Sequence, residues 1–534
     1  MTTIFRAKRI ITMTPDTPEA FVTLGDRIIA IGTFSALRQG FSKAAIVDLG
    51  DAVVAPGFND AHGHIGIPAE DALHLDFSWD TTHSLAEMFT QLRAEAQKTP
   101  PGQWLRGSRY DDAKMAEGRV VSRWDLDEIS RAHPIFVHHV AGHWCVVNSK
   151  ALELAGIDDS VKDPPGGKFE HDASGRLNGI LHEKAMEIFW PYSAERGDAL
   201  LPKASLEDRL RGFERLQRSF HAAGITSLTD ALVQPHDVAL FAAARRRGLL
   251  SLRLNMLIVY DEYERLRSLG LGPDFGDERL RFCGVKAFVD GAIGGRTCLL
   301  EEPFEGTSDD FGIQRTSDAE LRDIVRMVHL DGNRLCVHAN GDRAIQKLLD
   351  QLEAASNEKP QPGLRHRIEH CTIITDDIVT RMERLRAIAV PFGSYVYYHG
   401  AKLLDWYGPK RIERMFAHRT FLDRGITIAG SSDYPCGPFQ PLLAIQSCVT
   451  RTGYDGTPLG LSQRISPQAA LELYTVCGGF ATGEEHIKGR LAPGHLADFV
   501  ALDADPREVE PSKIGAIGIR STFVGGAPVW QRSG

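Results

Sequence analysis

The sequence has no CxxC pair among its eight cysteines, no excess of basic residues and no long apolar run, and each absence removes a class of function. Cys145, Cys283, Cys298, Cys336, Cys371, Cys436, Cys448 and Cys477 stand apart, several inside apolar strand-like runs. Reduced, buried thiols in a cytoplasmic protein are expected from this, rather than a disulfide framework. A formal net charge of −9 with no block of like charge leaves no electrostatic footprint for nucleic acid or an anionic membrane surface. No stretch reaches the roughly 18 uninterrupted apolar residues of a spanning helix. Residues 1–15 alternate Phe5, Ala7, Ile10, Ile11 and Met13 with polar residues, the pattern of a strand and not of a signal peptide. The glycine-rich stretches Gly291 to Gly295 and Gly478-Gly479 lack the spacing or lysine of a phosphate-binding loop, so organic cofactors are not expected. The expected partner is a small molecule.

At 534 residues and 43% hydrophobic, the chain is long enough for more than one domain. Eight β-branched or apolar runs end in small or polar residues: Val53 to Phe58, Gly224 to Asp230, Leu252 to Val259, Val285 to Asp290, Arg334 to His338, His366 to His370, Ala387 to Pro391 and Thr427 to Asp433. Helical periods lie between many of them, such as Leu321, Ile324, Val325 and Val328 behind the capping pair Ser317 and Glu320. This alternation predicts an α/β fold, a (β/α)8 TIM-type barrel over residues 56–74 and 216–484, with chemistry at its strand ends. Residues 75–215 break the repeat with their own helix from Ser84 and strand from Pro134 to Val140, and are expected to form an inserted α/β lobe. The two chain ends, 1–55 and 485–534, are rich in short strands and turns and are expected to meet as one small β-sandwich domain.

The first barrel strand ends in Pro56-Gly57-Phe58-Asn59-Asp60-Ala61-His62-Gly63-His64. Side chains two apart on a strand share a face, so His62 and His64 can grip one cation. An isolated HxH is also compatible with two ordinary turn histidines. What favours the ligand reading is that other strand ends carry ligands too: His338, Glu369-His370 and Asp433. Lys286 stands in the middle of an apolar run, where an unpaired ammonium is costly. It must be paired, to Asp290 or another carboxylate, or be carboxylated and bridge two metals.

The set His62-x-His64, Lys286, His338, His370 and Asp433 resembles the amidohydrolase superfamily. The flanking text resembles its amidohydrolase-3 branch, the YtcJ-like proteins and N-substituted formamide deformylases. That narrower resemblance rests on Gly142-His143 with Asn148-Ser149-Lys150-Ala151-Leu152, Gly179-Ile180-Leu181 with Glu183, Asp290-Gly291, Gly341-Asp342-Arg343-Ala344, Arg367-Ile368-Glu369-His370 and the tail Gly494 to Val500. The resemblance implies that His62, His64 and Asp433 bind a more buried metal, that His338 and His370 bind a second, and that Lys286 bridges them if carboxylated. Zinc, one or two ions per chain, is the default, with manganese, iron or cobalt compatible. The chain departs from such relatives at Ala389-Val390-Pro391, where a polar residue usually precedes the proline.

The function this implies is cleavage of an amide-like carbon–nitrogen bond. A divalent cation lowers the pKa of water towards ~7, providing hydroxide at neutral pH. Asp433 is the expected proton shuttle to the leaving nitrogen. His143, in a loop like one that family members lay over the metal site, is expected to donate to the carbonyl oxygen or orient the substrate. Tyr395 and Tyr398, with Tyr397 and His399, follow the seventh strand and either line an apolar substrate pocket or pack the lobe. Two other readings stay open: a superfamily deaminase of a ring substrate and a non-catalytic binding module. A homodimer is an open arrangement.

Overall fold

A computed structural model describes residues 2–190, 200–272 and 275–533; within the expected insertion over residues 75–215, residues 191–199 lie outside the described residues. Seven parallel strands form the central sheet in strict chain order: Phe58–Gly63, Ile225–Val233, Arg253–Val259, Leu280–Phe288, Leu335–Ala339, Arg367–His370 and Ile388–Val390. They are buried along almost their whole length. Both faces of the sheet are covered, which is why these segments read as near-continuous apolar runs. The covering helices obey their sequence signals. Ser317 accepts from the Glu320 N–H at the start of Asp318–Leu330, and Asp342–Glu358 buries Ala344, Ile345, Leu348, Leu349 and Leu352 along one stripe.

Two of the eight expected barrel strands differ. Val53–Pro56 belongs to a separate five-stranded sheet, antiparallel to Phe499–Leu502, and the barrel strand begins only at Phe58. The change of sheet falls at Pro56-Gly57. A Cβ on Gly57 would lie 2.3 Å from the Thr226 side chain, so only glycine lets the backbone pass this close to the second strand. The expected eighth strand, Thr427 to Asp433, makes isolated parallel bridges at Ala389–Ile428 and Phe392–Ser431 instead of a ladder. The Gly430 N–H is diverted to the Leu473 carbonyl at 3.0 Å, while the Gly430 carbonyl accepts from Ala61 N at 3.0 Å. The run thus touches both the first and the seventh strands, and the barrel is nearly closed.

The chain ends meet through two further sheets. Thr2–Arg6, Ala20–Leu24, Arg27–Gly32 and Ala45–Asp48 form one, and the five-stranded sheet unites Arg9–Ile10 and Val53–Pro56 with Phe499–Leu502, Ile519–Val524 and Ala527–Gln531. Phe5, Phe21, Phe499 and Phe523 pack between them, with ring centroids 4.3 Å apart for Phe499 and Phe523 and 5.0 Å for Phe5 and Phe499.

Residues 75–183 build a six-stranded sheet from Leu75–Asp76, Leu105–Tyr110, Ile135–His139, Trp144–Val147, Gly167–His171 and Leu177–Glu183. Its helix Leu85–Ala96 is capped by Ser84 as its sequence signals. Helix Leu206–Ala222 runs across residue 215 and packs on Gly66–Asp71 beside the first barrel strand. All eight cysteines are free thiols, seven of them buried. Among the described residues no helix is long and apolar enough to cross a membrane.

Candidate functional site

The first strand places Asp60 and His62 on one face, and His64 continues that spacing just beyond its end. His62 Nδ1 is bonded to the Glu369 carboxylate, while its Nε2 lies 3.3 Å from Asp433 Oδ1. Glu369 is clasped by Arg367, two positions earlier on the same strand, through bonds of 2.7 and 2.8 Å. Burial alone would raise the Glu369 carboxyl, but the Arg367 guanidinium and His62 hold it down to about 2. An ionised carboxylate against Nδ1 keeps the proton there and leaves the Nε2 lone pair facing the cavity. His64 Nε2 sits 3.2 Å from Asp433 Oδ1, and its Nδ1 lies 3.5 Å from Asp230.

His370 ends the sixth strand with φ of 69°, and Asp433 ends the irregular eighth run with φ of 51°. Side chains with a Cβ avoid this left-handed region, at a cost of order 1–3 kcal/mol each, so both residues are held in it by their surroundings. The Asp433 N–H donates to the His62 carbonyl at 2.8 Å, and its own carbonyl accepts from Cys436 N at 2.7 Å. Donor atoms of His62, His370 and Asp433 lie within 4.8 Å of one another. Burial would raise the Asp433 carboxyl, yet the imidazoles of His370, His62 and His64 hold it well below the ordinary carboxylate range.

Among the described residues, His62 Nε2 and His370 Nδ1 are buried without a hydrogen-bond partner. Orphaned buried nitrogens cost free energy, and their convergence with a carboxylate matches the ligand preference of a divalent transition-metal ion. The residues present therefore fit a cation. His338 is placed differently: its Nε2 meets the Gly291 carbonyl and the Asn340 amide, each at 3.0 Å, and its ring centre is 4.6 Å from that of His370. The tightest set thus joins His370 to His62 and Asp433, whereas the resemblance pairs His370 with His338. Burial keeps the His338 and His370 imidazoles well below their ordinary range, in the neutral form that ligates metals.

Lys286 lies within the fourth strand, buried, its ammonium pushed down to about 8 by burial against the opposing pull of Glu369 and Asp433. Asp290, one of its expected partners, accepts instead from the backbone N–H groups of Leu299, Asn340 and Gly341 at 2.9, 3.0 and 2.9 Å. From the lobe, His143 brings its ring centre within 5.0 Å of that of His338, with Nδ1 bonded to Glu183 at 2.9 Å. Glu183 also accepts from the Thr297 hydroxyl at 2.9 Å and faces Arg315 at 3.5 Å. His62, His64, His143, Lys286, His338, His370 and Asp433 all line one cavity of about 50 Å³, walled by Leu232, Phe288 and Trp190.

The model of the amidohydrolase family matches residues 45–530. The chain belongs to that family. It is 28% identical over 530 residues to the putative amidohydrolase YtcJ of Bacillus subtilis (strain 168), covering 97% of each. It is 28% identical over 533 residues to the N-substituted formamide deformylase of Arthrobacter pascens, covering 97% of this chain and 95% of that one. The fold is shared with an uncharacterized metal-dependent hydrolase from Pyrococcus horikoshii OT3, at a TM-score of 0.75 and 24% identity, covering 96% of this chain and 99% of that one. The protein is accordingly a hydrolase of the amidohydrolase-3 branch, with the mixed α/β fold and nearly closed barrel of its structural relatives.

In this amidohydrolase the two rim tyrosines part company. Tyr395 stacks on Phe392 at 3.7 Å, Phe392 stacks on His370 at 4.3 Å, and the Tyr395 hydroxyl bonds the Asp433 carboxylate, so Tyr395 touches the centre of the site although it is not among the residues that line the cavity. Tyr398 lines a second cavity of about 420 Å³ that shares Pro435 with the first. Sequence reasoning missed Asp60 and took Glu369 only as part of a ligand-bearing strand end, not as the support of His62. Asp60, which accepts from the Ser432 N–H and hydroxyl at 3.1 and 2.5 Å, and Glu369 were both legible as i±2 neighbours of His62 and Arg367 on their strands. No sequence spacing links Glu183 to His143, since their adjacency comes from folding of the lobe sheet.

Proposed function

We propose that this hydrolase is metal-dependent and cleaves a carbon–nitrogen bond, an amide, formamide or similar, in a small molecule. The observation that carries the reading is the convergence of His62, His370 and Asp433 in a buried cavity, with imidazole nitrogens of His62 and His370 that have no hydrogen-bond partner among the described residues. In this reading His62, His64, His370 and Asp433 would hold one cation, and His338, with Lys286 if its amine were carboxylated, would offer ligands for a second. Zinc suits the imidazole and carboxylate set. A cation held there supplies Lewis acidity, lowering the pKa of water and polarising the substrate carbonyl.

The chain's own residues do the rest. Asp433, kept ionised by the surrounding imidazoles, takes a proton from the attacking water and returns it to the departing nitrogen, which leaves poorly unless protonated. Glu183 holds His143 by Nδ1 and so turns Nε2 towards the cavity, where it meets the substrate carbonyl oxygen as negative charge develops there. Leu232, Phe288 and Trp190 limit the water that reaches these groups. The likeness to an N-substituted formamide deformylase supports a formamide or related amide as the substrate class.

The test is elemental analysis of protein purified without chelator, followed by hydrolysis of a panel of N-formyl and N-acyl amines before and after metal stripping. One to two equivalents of zinc or a similar ion, with activity lost on stripping and regained on addition, is the expected result. Protein that holds no metal and takes up none overturns the reading.

A further inference from the structure

We propose that the cavity of about 420 Å³ is a substrate subsite that takes an aryl group bearing a carboxylate or similar acceptor, anchored by Lys114. The inference rests on the hydrolase reading for its orientation: the aryl group is the part of the substrate remote from the scissile bond.

Position comes first. Pro435 lines both this cavity and the smaller one that holds His62, His370 and Asp433. Val140 and Tyr434 face the larger cavity, while their chain neighbours Ala141 and Asp433 face the smaller. Two short segments, one from the lobe and one from the barrel rim, thus separate the two spaces. The smaller one has room for ions and little more, so the bulk of any substrate must lie elsewhere, and the larger cavity is the adjoining space.

The walls specify what fits. Trp79, Phe439 and Tyr454 give the wall aromatic surface suited to a flat apolar group, and Tyr398 packs against Lys114. Lys114 ends the turn Asp112–Lys114, and its ammonium lies 2.7 Å from the Tyr398 ring centre with its side chain only 5% exposed. Among the described residues that nitrogen has no hydrogen-bond partner. Asp111 Oδ2, buried and itself without a hydrogen-bond partner among the described residues, forms an ion pair with that ammonium at 3.8 Å, beyond hydrogen-bond length, so the charge is balanced while the ammonium's donors stay unfilled; Asp111 also faces His399 at 3.8 Å and Lys402 at 3.9 Å.

The other charges are committed or screened. Arg109 bonds Asp76, Lys402 bonds Asp112 at 2.9 Å, and Asp80 on the cavity wall is exposed to solvent. Lys114 is left as a buried cation with donors to spare. An ammonium in that position is costly unless an acceptor reaches it, and burial pushes its pKa down to about 7. A carboxylate on the ring of a bound ligand supplies that acceptor.

The experiment measures binding of 4-acetamidobenzoate and of acetanilide to the metal-loaded protein by titration calorimetry, with turnover of each followed separately. The wild type is expected to bind the carboxylate about tenfold more tightly than the neutral compound, the effect of one charge-assisted hydrogen bond. Lys114→Met, which keeps the length of the side chain, should bring the two to parity, and Lys114→Gln is the second neutral variant should the first not fold. Equal affinity in the wild type, or a preference that survives in either folded variant, overturns the proposal. Carboxylate binding without turnover of either amide leaves the subsite standing and counts against the carbon–nitrogen reading of the hydrolase. Turnover with no carboxylate preference does the reverse.

Discussion

Replacing Glu369 by glutamine perturbs one atom and two partners. The carboxylate accepts from Arg367 Nε at 2.7 Å, from Arg367 Nη2 at 2.8 Å and from His62 Nδ1, with all three side chains fully buried. An amide has one acceptor oxygen and brings two donors. If its oxygen stays with Arg367 Nε, its nitrogen faces donors from both Arg367 and His62. The His62 ring can relieve this only by moving its proton to Nε2, so that Nδ1 accepts from the new amide. That tautomer turns an N–H, rather than a lone pair, towards Asp433 and His370.

Two consequences follow in number. Uncoupling a buried ion pair costs about 3–5 kcal/mol, and the lower end applies here because one acceptor remains for Arg367. Loss of a carboxylate that orients a ligating histidine lowers metal affinity roughly 10–100-fold. Guanidinium unfolding of the metal-free protein reads the first, and competition for zinc against a chromophoric chelator reads the second. A folded Glu369→Gln protein whose metal affinity equals that of the wild type refutes the assignment of His62 Nε2 as a ligand atom.

Asp433→Asn is expected to abolish turnover while an oxygen ligand keeps much of the metal bound, as kinetics alongside elemental analysis would reveal; unchanged activity removes its proton-shuttle role. Lys286→Ala should lower occupancy of a second metal, partly restored by short carboxylic acids, and full occupancy in the variant would exclude a bridging role. Glu183→Gln should lower kcat by about 10²-fold or more with a smaller effect on KM, because His143 loses the partner that orients it, and the pH profile of kcat should move; an unmoved profile would make Glu183 merely structural. Phe499→Ala empties the centre of the four-phenylalanine cluster and should lower the unfolding free energy by about 3–5 kcal/mol, read from denaturant midpoints, without altering metal content.

The sequence by itself determined which segments are strands and helices and which residue types stand at the strand ends. It could do so because burial on both faces writes continuous apolar runs, and one buried stripe writes a period of 3.6. His62, His64, Lys286, His338, His370 and Asp433 were legible in this way, as polar residues punctuating apolar runs in a recurrent order. The sheet to which Val53–Pro56 belongs was not legible, since its partner Phe499–Leu502 lies at the far end of the sequence and pairs through backbone atoms that every residue carries. Nor was the loose eighth run, which exists because Leu473 competes for the Gly430 N–H.

Tertiary structure alone decided which of these side chains converge. Whether His370 faces Asp433 or His338 depends on left-handed backbone at residues 370 and 433, a torsion that packing imposes and residue type does not announce. The pairing of His143 with Glu183 likewise depends on neighbouring strands of the lobe sheet. Residue identity sets what a side chain can do. Which partner it does it with is set by the free energy of burying its charge, and that is defined only once the chain has closed around it.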